Sequence, residues 1–227
     1  MNTAQRSRPL VLLFDVNETL LDLAPLEESI DEVLLESGAS RLWFTTLLQY
    51  SLVLTVGGKY DTFANVGAAT LMMLASNRKV VLTLEQAQHV LKPMLKLAPH
   101  HDVLDGLTRL KRAGFRMASL SNSSVSACKS QLEHAGLASM FERQLSVESV
   151  AKYKPHREVY QWAAREMQVS EQNCMLVAAH AWDVAGAAWA GMQTAFIERK
   201  GNQPFSLALP PGVCASDLHN LADQLVA

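Results

Sequence analysis

The feature that most constrains this chain is a set of short apolar runs without polar alternation: Leu10–Phe14, Phe115–Leu120, Met175–Ala179 and Thr194–Ile197, with a weaker run at Gln144–Val147. A strand with one wet face alternates apolar and polar residues, so consecutive apolar positions imply burial on both faces, as in a parallel sheet covered by helices. Helical patterns fall between the runs. Asp102–Ala113 sets Val103, Leu104, Leu107 and Leu110 on one face and closes at Gly114; Ser124–Ala135 closes at Gly136, and Trp182–Ala190 at Gly191. Strand, helix, glycine, strand is the rhythm of βαβ units, which predicts an α/β fold with a doubly wound parallel sheet.

Between the first and second runs lies a stretch with no good strand, too long for an ordinary crossover. It carries helical patterns over Glu27–Glu36, Arg41–Thr55, Asp61–Ala75 and Thr83–Leu95, the last opened by a capping box at Thr83 and Gln86. The expected organisation is a discontinuous α/β core, residues 1–20 and 98–227, with a helical cap subdomain at 21–97. Pro204–Pro211 reads as a surface loop.

Lys and Arg number 20 against 22 Asp and Glu, giving a formal charge of −2 without a dense basic cluster. That argues against nucleic acid or an anionic membrane as partner and favours a small molecule. No apolar stretch approaches the roughly 20 residues of a membrane span. Arg6 and Arg8 before an apolar run faintly resemble a signal peptide, but the run is short and ends at Asp15. Cys128, Cys174 and Cys214 are far apart without metal-ligand spacing, consistent with a reducing cytoplasm. His89, His100 and His101 have no carboxylate or cysteine partners at such spacing and read as surface residues.

Ligands of open parallel sheets sit beyond the carboxyl ends of the strands. Those positions hold Asp15 and Thr19 after the first run, Ser121 and Asn122 after the second, Lys154 in a loop leading into a helix, and His180 and Asp183 after Met175–Ala179. Two carboxylates, an ammonium, hydroxyls and an amide are a plausible set for a nucleophile, its anchoring donors and a water-orienting group.

The segments Asp15-Val-Asn-Glu-Thr19-Leu, Ser121-Asn122, Tyr153-Lys154-Pro155 and Ala181-Trp182-Asp183, in this order, resemble the type II 2-haloacid dehalogenase branch of the haloacid dehalogenase superfamily. The resemblance spans nearly the whole chain and includes a helical insert at the position of that family's cap. It implies hydrolysis of short 2-haloalkanoic acids. Asp15 would attack the halogen-bearing carbon to form an ester, Asp183 would orient the hydrolytic water, and Lys154 would keep Asp15 ionised. Thr19, Ser121, Asn122 and Tyr160 would bind substrate or nucleophile. Similar dehalogenases also imply a homodimer, for which the apolar stretch Leu47–Val56 is the candidate contact.

Four positions depart from that pattern. Phe44 stands where the branch carries a halide-receiving arginine, with Arg41 one helical turn away, and Ala178, Ala179 and His180 replace small polar residues. Three outcomes stay open: a dehalogenase with an altered halide pocket, in which His180 could replace a lost donor; a Mg²⁺-dependent phosphatase using Asp15; or a silent member that binds a small carboxylate or a protein. Asn17 disfavours the phosphatase, because an amide cannot shuttle the proton that phosphoryl transfer needs. No cofactor is therefore expected to be required, Mg²⁺ entering only under that alternative. Trp43, Phe44, Tyr50 and Phe63 read as helix packing before substrate wall.

Overall fold

The computed structural model describes residues 8–227; residues 1–7, including Arg6, lie outside the described residues. Six parallel strands form one sheet in the order β3-β2-β1-β4-β5-β6: β1 (Val11–Phe14), β2 (Arg116–Ser121), β3 (Arg143–Ser146), β4 (Cys174–Ala178), β5 (Gln193–Ile197) and β6 (Val213–Ala215). β1 and β4 are buried at every position, which explains their unbroken apolar character. The strand order reverses direction at β1, whose neighbours are β2 and β4. This is the switch point where doubly wound sheets open a crevice.

Helices α5 (Val103–Arg112), α6 (Val125–His134), α7 (Arg157–Glu166), α8 (Ala181–Trp189) and α9 (Leu218–Val226) accompany the strands. Gly114 and Gly191, just past α5 and α8, have φ of +85° and +97°, a left-handed turn that costs glycine no Cβ clash. In α5, Val103, Leu107 and Leu110 are buried as expected. Leu104 instead is 52% exposed, because it lies on the flank of the helix and Gly106 takes the contact with α9.

Between β1 and α5 run α1 (Ala24–Leu34), α2 (Ala39–Val56), α3 (Phe63–Asn77) and α4 (Leu84–Val90). The capping box forms as the sequence predicts: Thr83 accepts from the Gln86 amide, and Gln86 accepts from the Thr83 amide. The helix expected to continue to Leu95 stops at Val90 and gives way to a tighter turn at Lys92–Lys96. Pro93 is the reason, since it lacks an N–H and crowds the carbonyl four residues back. Trp43, Leu47, Phe63 and Leu71 close the interior of this segment, with Trp43 Nε1 donating to the Gly67 carbonyl at 2.9 Å. Among the described residues, no helix is long and apolar enough to cross a membrane.

The chain beyond the Pro204–Pro211 loop adds β6 and α9, neither of which the apolar runs announce. α9 packs on α5 so closely that a Cβ on Gly106 would lie 2.6 Å from Leu218 Cβ and 2.8 Å from its carbonyl oxygen. The backbone of Leu218 cannot yield cheaply. Gly106→Ala should therefore lower unfolding stability by about 1–3 kcal/mol, measured as a shift in the urea midpoint with unchanged slope.

Candidate active site

Asp15 follows β1 directly and is held by its own amide, which donates to the Val177 carbonyl of β4 at 3.0 Å. Its Oδ1 accepts from Lys154 Nζ at 2.8 Å; its Oδ2 accepts from Thr19 Oγ1 at 2.7 Å and from His180 Nδ1 at 3.0 Å. Thr19 in turn accepts from the Ala179 amide, which ties the loop after β1 to the end of β4. Lys154 Nζ also donates to Asp183 Oδ2 at 2.6 Å and to the Leu120 carbonyl at 2.9 Å. Its three protons thus meet three acceptors inside a site where the lysine side chain has no exposure.

Asp183 sits in the first turn of α8 and is fully buried. Tyr160 of α7 donates to its Oδ1 at 2.6 Å. This approach of α7 to α8 requires glycine at 186, where a Cβ would fall 2.4 Å from Pro155 and 2.7 Å from the Tyr160 hydroxyl. Asn122 accepts from the Lys154 amide at 3.1 Å, and Ser121 accepts from the Ser123 amide at 3.1 Å, so both shape the loops that carry the charged groups. Asn17 accepts from Gln131 Nε2 and donates to Ser123 Oγ.

Both ring nitrogens of His180 face carboxylates, Nδ1 on Asp15 and Nε2 on Glu18 Oε2 at 2.7 Å. Ionised carboxylates only accept, so both nitrogens carry protons and the ring is an imidazolium. Burial opposes that charge, but the hydrogen bonds and charges of Asp15 and Glu18 outweigh it and push the pKa up to about 9. Neither nitrogen is left to replace the missing arginine as a donor. Phe44 of α2 stacks on the His180 ring at 5.6 Å between centroids and Trp182 stacks at 5.2 Å, so the helical segment reaches the site through an aromatic contact. Arg41 is exposed, with its guanidinium near Gly201.

The two aspartates are driven apart. Burial works against ionisation of Asp15, but Lys154 and His180 together hold its carboxyl well below the usual carboxylate range. At Asp183, burial and the Asp15 charge raise the pKa despite Lys154. Lys154 itself loses to burial but gains more from the two aspartates, and stays charged.

Several participants carry no sequence signal of their own. Glu18 adopts φ +64°, uncommon for a non-glycine residue, and turns its carboxylate toward His180, with Asn202 donating to its other oxygen at 3.0 Å. Arg199 donates to the Thr19 carbonyl and to both oxygens of buried Asp102. His100 is not purely a surface residue: its Nε2 bonds the Glu18 carbonyl at 2.9 Å. Only the proximity of Glu18 to Asp15 in sequence could have pointed to any of these.

Among the described residues, no group of three or more His, Cys, Asp or Glu is arranged to hold a metal. The Asp15–Asp183 pair, which could share a cation, has the Lys154 ammonium between its members.

A buried carboxylate with an ammonium and a second carboxylate, at the switch point of a parallel sheet, is a small-molecule site of the kind that doubly wound α/β enzymes carry. The chain matches the haloacid dehalogenase-like hydrolases over residues 10–191 and belongs to that family. It is similar to the (S)-2-haloacid dehalogenase of Pseudomonas sp. (strain YL), at 31% identity over 84% of this chain and 83% of the relative. The (S)-2-haloacid dehalogenase H-109 of Pseudomonas putida is 27% identical over 95% of this chain and 97% of its own. The crystal structure of a dehalogenase with an intermediate complex superposes with a TM-score of 0.88, at 26% identity, over 97% of this chain and 98% of that one.

The charge on His180 carries a sign that can be tested. Because its pKa is raised from 6.5 to about 9, its contribution to stability is complete below about pH 6.5 and is lost as pH climbs through 9. The His180 ring resonances should titrate near pH 9, and the fall in urea midpoint between pH 7 and pH 9.5 should shrink in His180→Asn.

Proposed function

We propose that this protein hydrolyses the carbon–halogen bond of short 2-haloalkanoic acids, with Asp15 as nucleophile and with (S)-enantiomers as substrates. The observation that carries this reading is the buried Asp15–Lys154–Asp183 set, with Asp15 held low in pKa and Asp183 held high. The names of the relatives supply the substrate class.

Asp15 is ionised at neutral pH and needs no base to attack. Oδ2 already takes two donors, whereas Oδ1 takes Lys154 alone and keeps a lone pair for the carbon. As the Oδ1–carbon bond forms, the carbon–halogen bond breaks and halide leaves with the electron pair. Water then adds to the Asp15 carboxyl carbon, and Asp183, the more basic carboxylate, takes its proton. The negative charge of the tetrahedral intermediate falls on Oδ2, where the Thr19 hydroxyl and the His180 N–H already point. Collapse breaks the Cγ–Oδ1 bond: Asp183 returns its proton to the departing Oδ1, which leaves as the hydroxyl of the 2-hydroxyacid, and the second proton of the water passes to solvent, restoring the Asp15 carboxylate with the water oxygen in place of Oδ1. Ser121 and Asn122 would hydrogen-bond the substrate carboxylate, Tyr160 would orient Asp183, and Phe44 with Trp182 would wall the site against water.

This route uses no metal, because Lys154 supplies the charge that a cation would bring between the aspartates. The Mg²⁺-dependent phosphatase is not favoured: Asn17 has no ionisable proton to transfer, and its amide is bound to Gln131 and Ser123. Residues 21–97 would act as a cap over the site. The exposed face of α2, with Leu42, Tyr50, Val53 and Val56, is the proposed homodimer contact.

In EDTA, intact-mass spectrometry with 2-bromopropionate should detect a covalent adduct that maps to Asp15. Asp15→Asn should abolish the adduct and cut halide release by roughly 10³-fold or more. Thr19→Val should slow hydrolysis by about 10²-fold and accumulate the ester. No adduct and no halide across a panel of short haloacids would remove the assignment. If the α2 face pairs subunits, light scattering should report a dimer that Val53→Glu converts to monomer.

A further inference from the structure

Glu18 does not touch the nucleophile, yet the turn after β1 is bent to place it. Its φ of +64° is uncommon for a residue with a side chain, and strained positions of this kind cluster at functional sites. Asn202 fixes one carboxylate oxygen at 3.0 Å while the other accepts from His180 Nε2 at 2.7 Å, and the side chain is 25% exposed.

What this placement does follows from the fate of the charge on Asp15. When Asp15 acts as nucleophile, the new Oδ1–carbon bond sends the carbon–halogen electron pair away with halide and leaves a neutral ester. Oδ2 becomes a carbonyl oxygen, and one of the two carboxylates that hold His180 as an imidazolium has lost its charge. Glu18 alone then supplies a negative charge to the ring. An ester carbonyl, like the carboxylate before it and the oxyanion after it, can only accept, and so can ionised Glu18. With acceptors at both nitrogens throughout, the doubly protonated ring is the form that satisfies both at every stage. Phe44 and Trp182, stacked on the ring at 5.6 and 5.2 Å, favour a cation there. The other charged groups nearby are engaged elsewhere: Lys154 with Asp15 and Asp183, Asp183 also with Tyr160, and Arg199 with Asp102 and the Thr19 carbonyl. On the Glu18 side, His100 bonds the Glu18 carbonyl, and Glu27 of α1 lies within reach of the Glu18 charge.

We infer that Glu18 is a positioning residue for ester hydrolysis: it keeps His180 doubly protonated once Asp15 has been alkylated, so that a charged N–H meets Oδ2 as water adds to the Asp15 carboxyl carbon and the carbonyl electron pair moves onto that oxygen. This inference rests on Asp15 as nucleophile. It assigns Glu18 to the second step and gives it no part in the first, where Asp15 carries its own charge and attacks through Oδ1.

Rapid-quench intact-mass spectrometry of a single turnover with 2-bromopropionate follows the ester as it forms and decays. Glu18→Gln keeps the shape of the side chain and lets a neutral ring accept from the new amide at Nε2. Glu18→Gly removes the carboxylate and is relaxed at φ +64°, which guards against a folding defect in the first variant. In both, the ester should form at the wild-type rate and decay about tenfold more slowly, the difference between a charged and a neutral hydrogen bond to the oxyanion. The alkaline fall in decay rate should also move to lower pH, because the ring of the esterified protein gives up its proton sooner. A purely structural defect would slow decay at every pH and leave that midpoint in place. Decay at the wild-type rate in a folded variant, an unmoved midpoint, or equal slowing of both steps would overturn the inference while leaving Asp15 as nucleophile. Absence of both ester and halide from the wild-type protein would remove the two together.

Discussion

The Lys154 ammonium is the group around which this molecule is arranged. Removing it from water costs several kcal/mol, which a buried position tolerates only when every proton finds an acceptor. Its acceptors are Asp15 after β1, Leu120 within β2 and Asp183 at the start of α8 after β4. Three segments distant in sequence must therefore end at the same height on the sheet. The parallel registers of β1 with β2 and with β4 bring them there. The supporting contacts act on the same point: Asn122 holds the Lys154 backbone, Tyr160 holds Asp183, and Thr19 holds Asp15.

Around that centre the charges do not balance. Asp15, Glu18 and Asp183 bring three negative charges, Lys154 and His180 two positive ones, leaving one negative in excess. Asp15 touches both cations and Asp183 only one. Burial and the Asp15 charge therefore outweigh the single cation at Asp183, whose pKa rises while that of Asp15 falls. Two like residues with diverging proton affinities are how a protein divides nucleophile from base.

Much of this was legible in the amino-acid order. Five of the six strands announced themselves: β1 and β4 as runs buried at every position, β2 and β5 as runs buried at all but the first, and β3, with Arg143 exposed, only weakly; the charged positions followed at their carboxyl ends. β6 and α9 were not legible: β6 is a three-residue edge strand after a proline-rich loop, too short to show a period. Asp15, Lys154 and Asp183 stood out by type and place. Glu18, Arg199 and Gln131 did not, since their roles depend on which side chain lies across the fold, a relation no local pattern encodes. His180 was visible as a position but not as a state. Its charge follows from Asp15 and Glu18 together, and the strand-end rule passes over Glu18.

The Glu18–His180 pair has a consequence for substitution. Each half is tolerable only in the other's company: without the imidazolium, Glu18 is a three-quarters-sheltered carboxylate in a left-handed turn beside a second carboxylate. A neutral residue at 180 would strand that charge, and a neutral residue at 18 would leave the imidazolium with Asp15 alone. The two positions are coupled through one ion pair, so exchanging either residue changes what the other one costs.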